Sequence, residues 1–321
     1  MWKFTVRRIL IMIPQVIALS LIVFILAQFM PGDALTGLID PQITGERLNE
    51  MREELGLNDP WHKKYAKWVT GIITEGDLGR SYTYKAPATS IIWERLKNTF
   101  WLSLASIVFM YLIALPLGIL SGRYHGSWID QAISGYTYLG FGTPLFIFGL
   151  VMLWIFGYSL GWFPTGGSVA PGSVTGTWDY ALSKFKHLLL PSISIALIST
   201  VSTVQYLRNE IVDTKQQDFV LTARAKGASE NRVYNKHILR NSLLPIAAFL
   251  GYDIVGLIGG TVFIEMIYSY PGMGRLFLES IVSRDSALIT ALVLLYGIAA
   301  IIGTLLSDII LSIVDPRIRI K

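Results

Sequence analysis

The chain has 321 residues, of which 52% are apolar and only 15% charged, and its mean hydropathy is +0.51. A soluble domain carries about 25% charge, so this composition points to a bilayer as solvent and excludes intrinsic disorder. With no cysteine, disulfides, thiolate metal sites and cysteine nucleophiles are excluded, and the formal net charge of +5 accompanies no nucleic-acid-binding module.

Crossing a bilayer takes about 20 mostly apolar residues. Charge-free runs of that size predict helices over Ile9–Met30, Phe100–Leu120, Leu188–Leu207 and Ser286–Ser307. The stretch from Gln131 to Trp178 is also uncharged, but its second half is rich in Gly and Pro and reads as loop. A further helix is therefore placed near Tyr138–Leu160. The fifth in chain order, Leu244–Phe263, carries Asp253 near its middle. A central Asp costs about 2.5–3.5 kcal/mol, and the surrounding Leu, Ile, Val and Phe residues, at about 0.3–0.6 kcal/mol each, offset it. Six spans are expected. The first has basic residues before it, as a signal peptide does, but its apolar run is too long and no small-residue cleavage site follows; it reads as an uncleaved helix.

Orientation follows the Lys and Arg of short loops. With the N-terminus inside, the inner segments collect Lys3, Arg7, Arg8, Arg123, the seven cations of 208–243, and Arg317, Arg319 and Lys321. The short outer loops hold only Lys184, Lys186, Arg275 and Arg284. The expected fold class is an all-α membrane protein with six transmembrane helices, N-in and C-in. Residues 1–30 form the N-terminus and first helix, 31–97 a small outside segment, and 98–321 the helical core with an inside loop at 208–243. Within the outside segment, Glu46–Leu55 predicts a polar helix. Trp61–Ile73 predicts an amphipathic one, with Trp61, Tyr65, Trp68 and Ile72 at helical spacing.

Enzyme signatures are missing. There is no phosphate-binding G-x-x-x-x-G-K-[ST], no H-E-x-x-H and no G-x-S-x-G, and the four histidines are scattered. No catalytic, cofactor or metal site is expected.

The inside loop is the most informative segment. Its centre, Leu221, Thr222, Ala223, Arg224, Ala225, Lys226, Gly227, Ala228 and Ser229, predicts a short helix of small residues with Arg224 and Lys226 pointing outward. Gly227 would end it sharply, because Gly adopts left-handed angles without steric cost. Ser229 can cap a following helix whose stripe is Val233, Tyr234 and Ile238. Such a unit suits docking on a partner; the alternative is a basic loop lying on anionic headgroups.

The run from Asp218 through His237-Ile-Leu-Arg-Asn-Ser-Leu-Leu-Pro245 resembles the "EAA" loop of ABC importer membrane subunits, in the form found in oligopeptide, dipeptide and nickel permeases. The resemblance extends over most of the chain. It includes Met30–Asp33, Leu55–Pro60, Gly76–Ser81, Arg95–Thr99, Gly161–Gly166, Tyr270–Arg275 and Asp315–Arg319, in order and correctly placed relative to the spans. It implies a type I importer permease fold of the oligopeptide permease B type, in a prokaryotic plasma membrane, with residues 221–229 as the coupling helix. It implies as partners a second similar permease, two cytoplasmic ATPase subunits that use ATP and Mg, and an extracellular peptide-binding protein. Peptide is the expected cargo. Nickel or another small solute is the alternative, and an ion-driven transporter, for which one expects internal repeats or intramembrane charge pairs, is the more distant one. Four departures from the family pattern stand out: Leu221 occupies a position usually acidic, the interval from Gly227 to Pro245 is longer than in the general pattern though it suits the peptide subfamily, Asp253 stands where an apolar residue is expected, and Thr304 where Asn is frequent.

Two acids are candidates for the translocation path. Asp253 would either meet a cationic group of the cargo or hydrogen-bond a neighbouring helix. Glu265 would either help close the outer gate or sit at a solvated helix end. The G-x-x-x-G pairs Gly118/Gly122 and Gly256/Gly260 predict close helix packing, within the subunit or against a second permease.

Overall fold

The computed structural model describes residues 2–30, 50, 53, 59–246, 249–251, 253 and 262–314. Its elements in chain order are α1 (Trp2–Gln28), α2 (Trp61–Glu75), α3 (Ala88–Arg123), α4 (Trp128–Gly142) and α5 (Leu145–Met152), which continues as a π-helical turn over Leu153–Ser159. Then follow α6 (Trp178–Thr214), α7 (Asp218–Ala225) and α8. The last begins at Glu230–Arg232, widens to π geometry over Val233–Leu239 and closes at Arg240–Ser242. The last described elements are α9 (Val262–Ile267), α10 (Met273–Val282) and α11 (Ser286–Val314). Among the described residues the one β pairing is an isolated bridge between Arg80 and Pro87.

Among the described residues, four helices are long and apolar enough to cross a membrane, lying at Thr5–Gln28, Ala88–Arg123, Trp178–Thr214 and Ser286–Ile313. The expected helix at Tyr138–Leu160 is corrected. It is a pair, α4 and α5, bent by 106°. The bend falls at Thr143-Pro144, where proline supplies no N–H and its ring disfavours helical geometry at the preceding residue; Thr143 accordingly has extended angles. The pair counts as a fifth crossing if taken as one span. The expected span Leu244–Phe263 falls mostly outside the described residues, as does Gly256/Gly260.

Helix ends follow capping rather than hydropathy. α6 starts ten residues before Leu188, where Thr177 Oγ1 accepts from Tyr180 N at 3.2 Å. It runs on to Thr214, so the first turns of the 208–243 loop are a helical extension. α3 likewise begins at Ala88, behind Pro87, so part of the 31–97 segment is already the second long helix. The amphipathic prediction Trp61–Ile73 matches α2, whereas of Glu46–Leu55 only Glu50 and Glu53 are described, both helical.

The centre of the fold is the α3–α6 pair. Gly118 and Gly122 are the holes that admit Leu207 and Ile211: a Cβ on Gly118 would lie 3.0 Å from Leu207 Cβ, and one on Gly122 2.7 Å from Ile211 Cβ. This first pair therefore packs within the subunit. Gly122→Val forces the helices apart or Ile211 off its rotamer, at a cost of about 1–3 kcal/mol. Its melting temperature in detergent should fall by several degrees, and a wild-type value would refute this packing role. α4 joins the pair by placing Gly140 against Val201. α1 lies along α11, with Leu19 filling the space beside Gly297 and Arg8 pairing with Asp308 at 2.9 Å.

Candidate functional site

α7 and α8 form a hairpin at one end of the α3–α6 pair. Val220 and Ala223 of α7 are buried with Val233, Tyr234 and Ile238 of α8, against Leu207 and Ile211 of α6. The apolar stripe expected in the second helix is thus the face that seats the hairpin. On the other side of α7, Phe219, Leu221, Thr222 and Ala225 are exposed, followed by Lys226 and Gly227. A helix with one face in the core and an exposed apolar face suits a partner surface better than water.

Its end has the expected geometry. Gly227 has φ +76°, Ala228 N donates to Ala223 O at 3.2 Å, and Gly227 N donates to Arg224 O at 2.9 Å. That pair of bonds is a Schellman stop. Arg224 is exposed, as expected, and its guanidinium pairs with the exposed Glu230, with bonds of 2.9 and 3.2 Å. One detail is corrected. Ser229 stands at the N-cap position of α8 but makes no side-chain cap; its carbonyl accepts from Val233 N.

Beside the hairpin lies a polar cluster that the sequence pattern does not single out. Asp130, at the start of α4, is buried, and its carboxylate collects donors from three elements. Arg208 of α6 binds it with Nε at 2.6 Å and a terminal nitrogen at 2.8 Å. Ser121 Oγ of α3 donates at 2.5 Å and Gly126 N at 2.8 Å, while His125 Nδ1 lies 3.0 Å away. Lys215, just past α6, donates to the carbonyls of Gly122 and Arg123 at 2.7 and 2.8 Å, placing a cation on the C-terminal end of α3. Burial, together with the nearby Arg224 and Arg123, pushes the Lys215 ammonium below its ordinary pKa. Arg123 stacks over the Tyr234 ring at 4.8 Å and donates to Asn231 at 2.9 Å. The legible signal was the position of Asp130 and Arg208: opposite charges at the ends of two uncharged runs.

The opposite end of the bundle gathers several of the dispersed motifs. Glu265 is fully buried and accepts from Thr99 Oγ1 and from Arg275 N, both at 2.9 Å. Thr99 in turn accepts from Met273 N, and Asn98 donates to Pro271 O. A Cβ on Gly272 would lie 2.3 Å from the Glu265 carboxylate, so the Tyr270–Arg275 turn closes around it only with glycine there. Ser81 Oγ and Thr83 N both donate to Asp285, at 2.5 and 3.1 Å. Gly167 N donates to Tyr268 O at 3.0 Å. Glu265 is therefore no solvated helix end; it is the polar centre of this cap. Asp253 accepts from Tyr111 Oη of α3 at 2.5 Å.

Residues 114–320 match the family of binding-protein-dependent transport system inner membrane components, and residues 1–105 match the N-terminal family of the same membrane components. The chain belongs to this family. It is a multi-span membrane permease subunit of the peptide type of ABC importer. It is 37% identical to the oligopeptide transport system permease protein AppB of Bacillus subtilis, over 99% of this chain and 100% of that one. It is 32% identical to a peptide permease protein of Brucella suis and 29% to the glutathione transport system permease GsiC of Salmonella paratyphi A, each over 100% of both chains. A structure of the MetNI methionine ABC transporter in an inward-facing conformation has a chain that superposes with TM-score 0.54 at 16% identity, covering 70% of this chain and 96% of that one. It shows the same fold.

Proposed function

We propose that this chain forms one half of a peptide translocation path, the other half being a second, similar permease. It has six spans with both termini in the cytoplasm, which puts the α7–α8 hairpin inside the cell. Two cytoplasmic ATPase subunits hydrolyse ATP with Mg, and one of them seats on residues 221–229, the coupling helix. An extracellular binding protein delivers the peptide. The observation that carries this reading is the two-faced α7. Val220 and Ala223 fix it to the core, while Leu221, Ala225 and Gly227 stand exposed. ATPase closure then moves α6 and α3 through a rigid hairpin, and the small side chains permit the close approach such transmission needs.

Peptide cargo is favoured because AppB and GsiC are named for oligopeptide and glutathione transport. Nickel is less favoured, since the described residues hold no group of three or more His, Asp or Glu that could bind a metal. Purification from the native membrane in mild detergent tests the assembly. The expected result is co-purification of two ATPase subunits and a second six-span protein. Recovery of this chain alone, under conditions that keep other ABC complexes intact, overturns the reading.

Within the membrane, Asp253 is the residue assigned to the path. Its bond to Tyr111 holds the carboxylate beside α3, where it can exchange that partner for a cationic group on the cargo. Asp253→Asn should slow uptake of Lys- and Arg-containing peptides more than that of neutral ones, measured in proteoliposomes with each class in turn. Equal slowing of both classes makes Asp253 a packing residue only. The enclosure of Glu265 supports a structural part in the outer cap rather than direct contact with cargo.

A further inference from the structure

From Leu188 to Thr214 the exposed residues of α6 are Ser202, Tyr206, Asn209 and Asp213, all of them polar. At 100° per residue they fall within a sector of about 60°, and the half-buried Ser199 continues the stripe one turn deeper. Leu207 and Ile211, which fill the α3 notches, lie on the far side of the helix. The same contacts set the depth. Gly118 meets Leu207 and Gly122 meets Ile211, so α3 and α6 run in the same direction and side by side. Over the matching turns α3 exposes Leu112, Pro116 and Leu120. At one depth, then, one helix shows an apolar face and its neighbour a polar one. A headgroup layer would ask for polar residues on both, and hydrocarbon for polar residues on neither. Polar groups at membrane depth are tolerated where they are buried in protein or line a water-filled cavity. Water reaches this stripe without a break, because it runs on through Asn209 to the exposed Asp213 at the hairpin end. Its flanks are built: Tyr206 packs edge-on against Phe249, with ring centroids 4.8 Å apart, and Gln205 meets Thr137 of α4 at 3.3 Å. Phe249 and Asp253, both helical and four positions apart, share a face.

We infer that the Ser199–Asp213 face of α6 is a wall of the inner mouth of the translocation path, wetted from the hairpin end, and that it takes the passing peptide by its main chain. The inference rests on the peptide-path reading above and deepens it. Serine hydroxyls and the Asn209 amide both donate and accept, and so match the N–H and C=O that nearly every peptide residue carries. Side-chain charge is not read here. The one cation within the stretch from Ser199 to Asn209, Arg208, is engaged by Asp130 at 2.6 and 2.8 Å. The wall therefore passes cationic and neutral peptides alike, in contrast to the discrimination expected of Asp253.

The cysteine-free sequence permits a direct test. Single variants Ser199→Cys, Ser202→Cys, Tyr206→Cys and Asn209→Cys are purified as the full complex and placed in nanodiscs. Leu112→Cys and Leu120→Cys supply the depth-matched controls on α3. Each is treated with a cationic, water-soluble methanethiosulfonate, both without nucleotide and after trapping with ATP and vanadate. The reactive species is the thiolate, which forms in water and not in lipid or a packed interface. Positions 202, 206 and 209 should react several-fold faster than 112 and 120 in at least one of the two states. Ser202→Leu should slow uptake several-fold, equally for Lys-containing and neutral peptides. Rates at 202 and 206 no higher than at 112 in both states overturn the inference, since lipid or the second permease then covers the face. Unchanged uptake in Ser202→Leu, or slowing of one peptide class only, overturns the main-chain role. An assembled complex that imports peptide while the stripe stays unreactive fails this inference alone. A wild-type complex that imports no peptide fails the proposed function, and the inference with it.

Discussion

Gly227→Arg should leave the protein inserted and assembled as a folded membrane subunit yet abolish peptide uptake. The backbone at Gly227 is left-handed, with φ +76°, and a Cβ added there would meet no atom within 4 Å. Alanine at 227 therefore meets no clash and pays only the left-handed penalty, about 1–2 kcal/mol. Because that strain sits in a hairpin held by Val220, Val233 and Ile238, the Ala variant should keep its fold and most of its transport. Arginine carries the same backbone cost and adds a bulky cation to the exposed side of α7, next to Ala225 and Lys226. Blocking close approach at the centre of an interface typically costs about 2 kcal/mol or more, about thirty-fold in affinity. Three measurements separate the cases: membrane yield, ATPase retention on purification, and uptake in proteoliposomes. Arg at wild-type uptake removes the coupling assignment. Loss of uptake in both variants with ATPase still bound would instead make the backbone geometry, not the exposed surface, the essential feature.

Most of the fold was legible because hydropathy runs and glycine–proline punctuation act locally. The long apolar helices, the amphipathic α2 and the Gly227 stop all follow from patterns within a few turns of chain. The bend between α4 and α5 was missed because an uncharged run looks continuous to a hydropathy count; the Thr143-Pro144 step carries the information instead. Helix ends were misplaced for a related reason. Thr177 and Pro87 set the starts of α6 and α3 through capping, beyond the apolar stretch. The candidate site was legible in its exposed segment and in the Val233, Tyr234 and Ile238 stripe that seats it, but not in the polar cluster beside it. Residues 221–229 announce themselves by composition, whereas Asp130, Ser121 and Arg208 lie up to 87 positions apart and meet only once α3, α4 and α6 pack. The turn around Glu265 shows the same limit. Tyr270–Arg275 is conspicuous as a motif, but its reason, closure over a buried carboxylate, is tertiary.

Asp130→Ala should be the most destabilising single change at the hairpin end. It strands the Arg208 guanidinium and leaves Ser121 Oγ and Gly126 N without the acceptor they share. Removing one partner of a buried ion pair costs about 3–5 kcal/mol, since the other charge stays desolvated and uncompensated. Arg208→Ala should cost a similar amount for the converse reason. Arg208→Lys keeps the charge but loses the forked contact to both carboxylate oxygens, so it should fall between wild type and Ala. The decisive variant is the exchange Asp130→Arg with Arg208→Asp. If the pair mattered only as opposite charges, the double mutant would recover what each single mutant loses. The geometry says otherwise: Ser121 and Gly126 both donate to residue 130, and a guanidinium there cannot accept. The exchange should therefore stay as unstable as the single variants in thermal unfolding of the purified complex. Uptake should fall with it, because the last carbonyls of α3 that hold Lys215, at the base from which α7 emerges, directly follow Ser121 in the chain. Recovery of melting temperature in the exchanged pair would reduce the cluster to a simple ion pair. A melting temperature unchanged in Asp130→Ala would remove it from the support of the hairpin altogether.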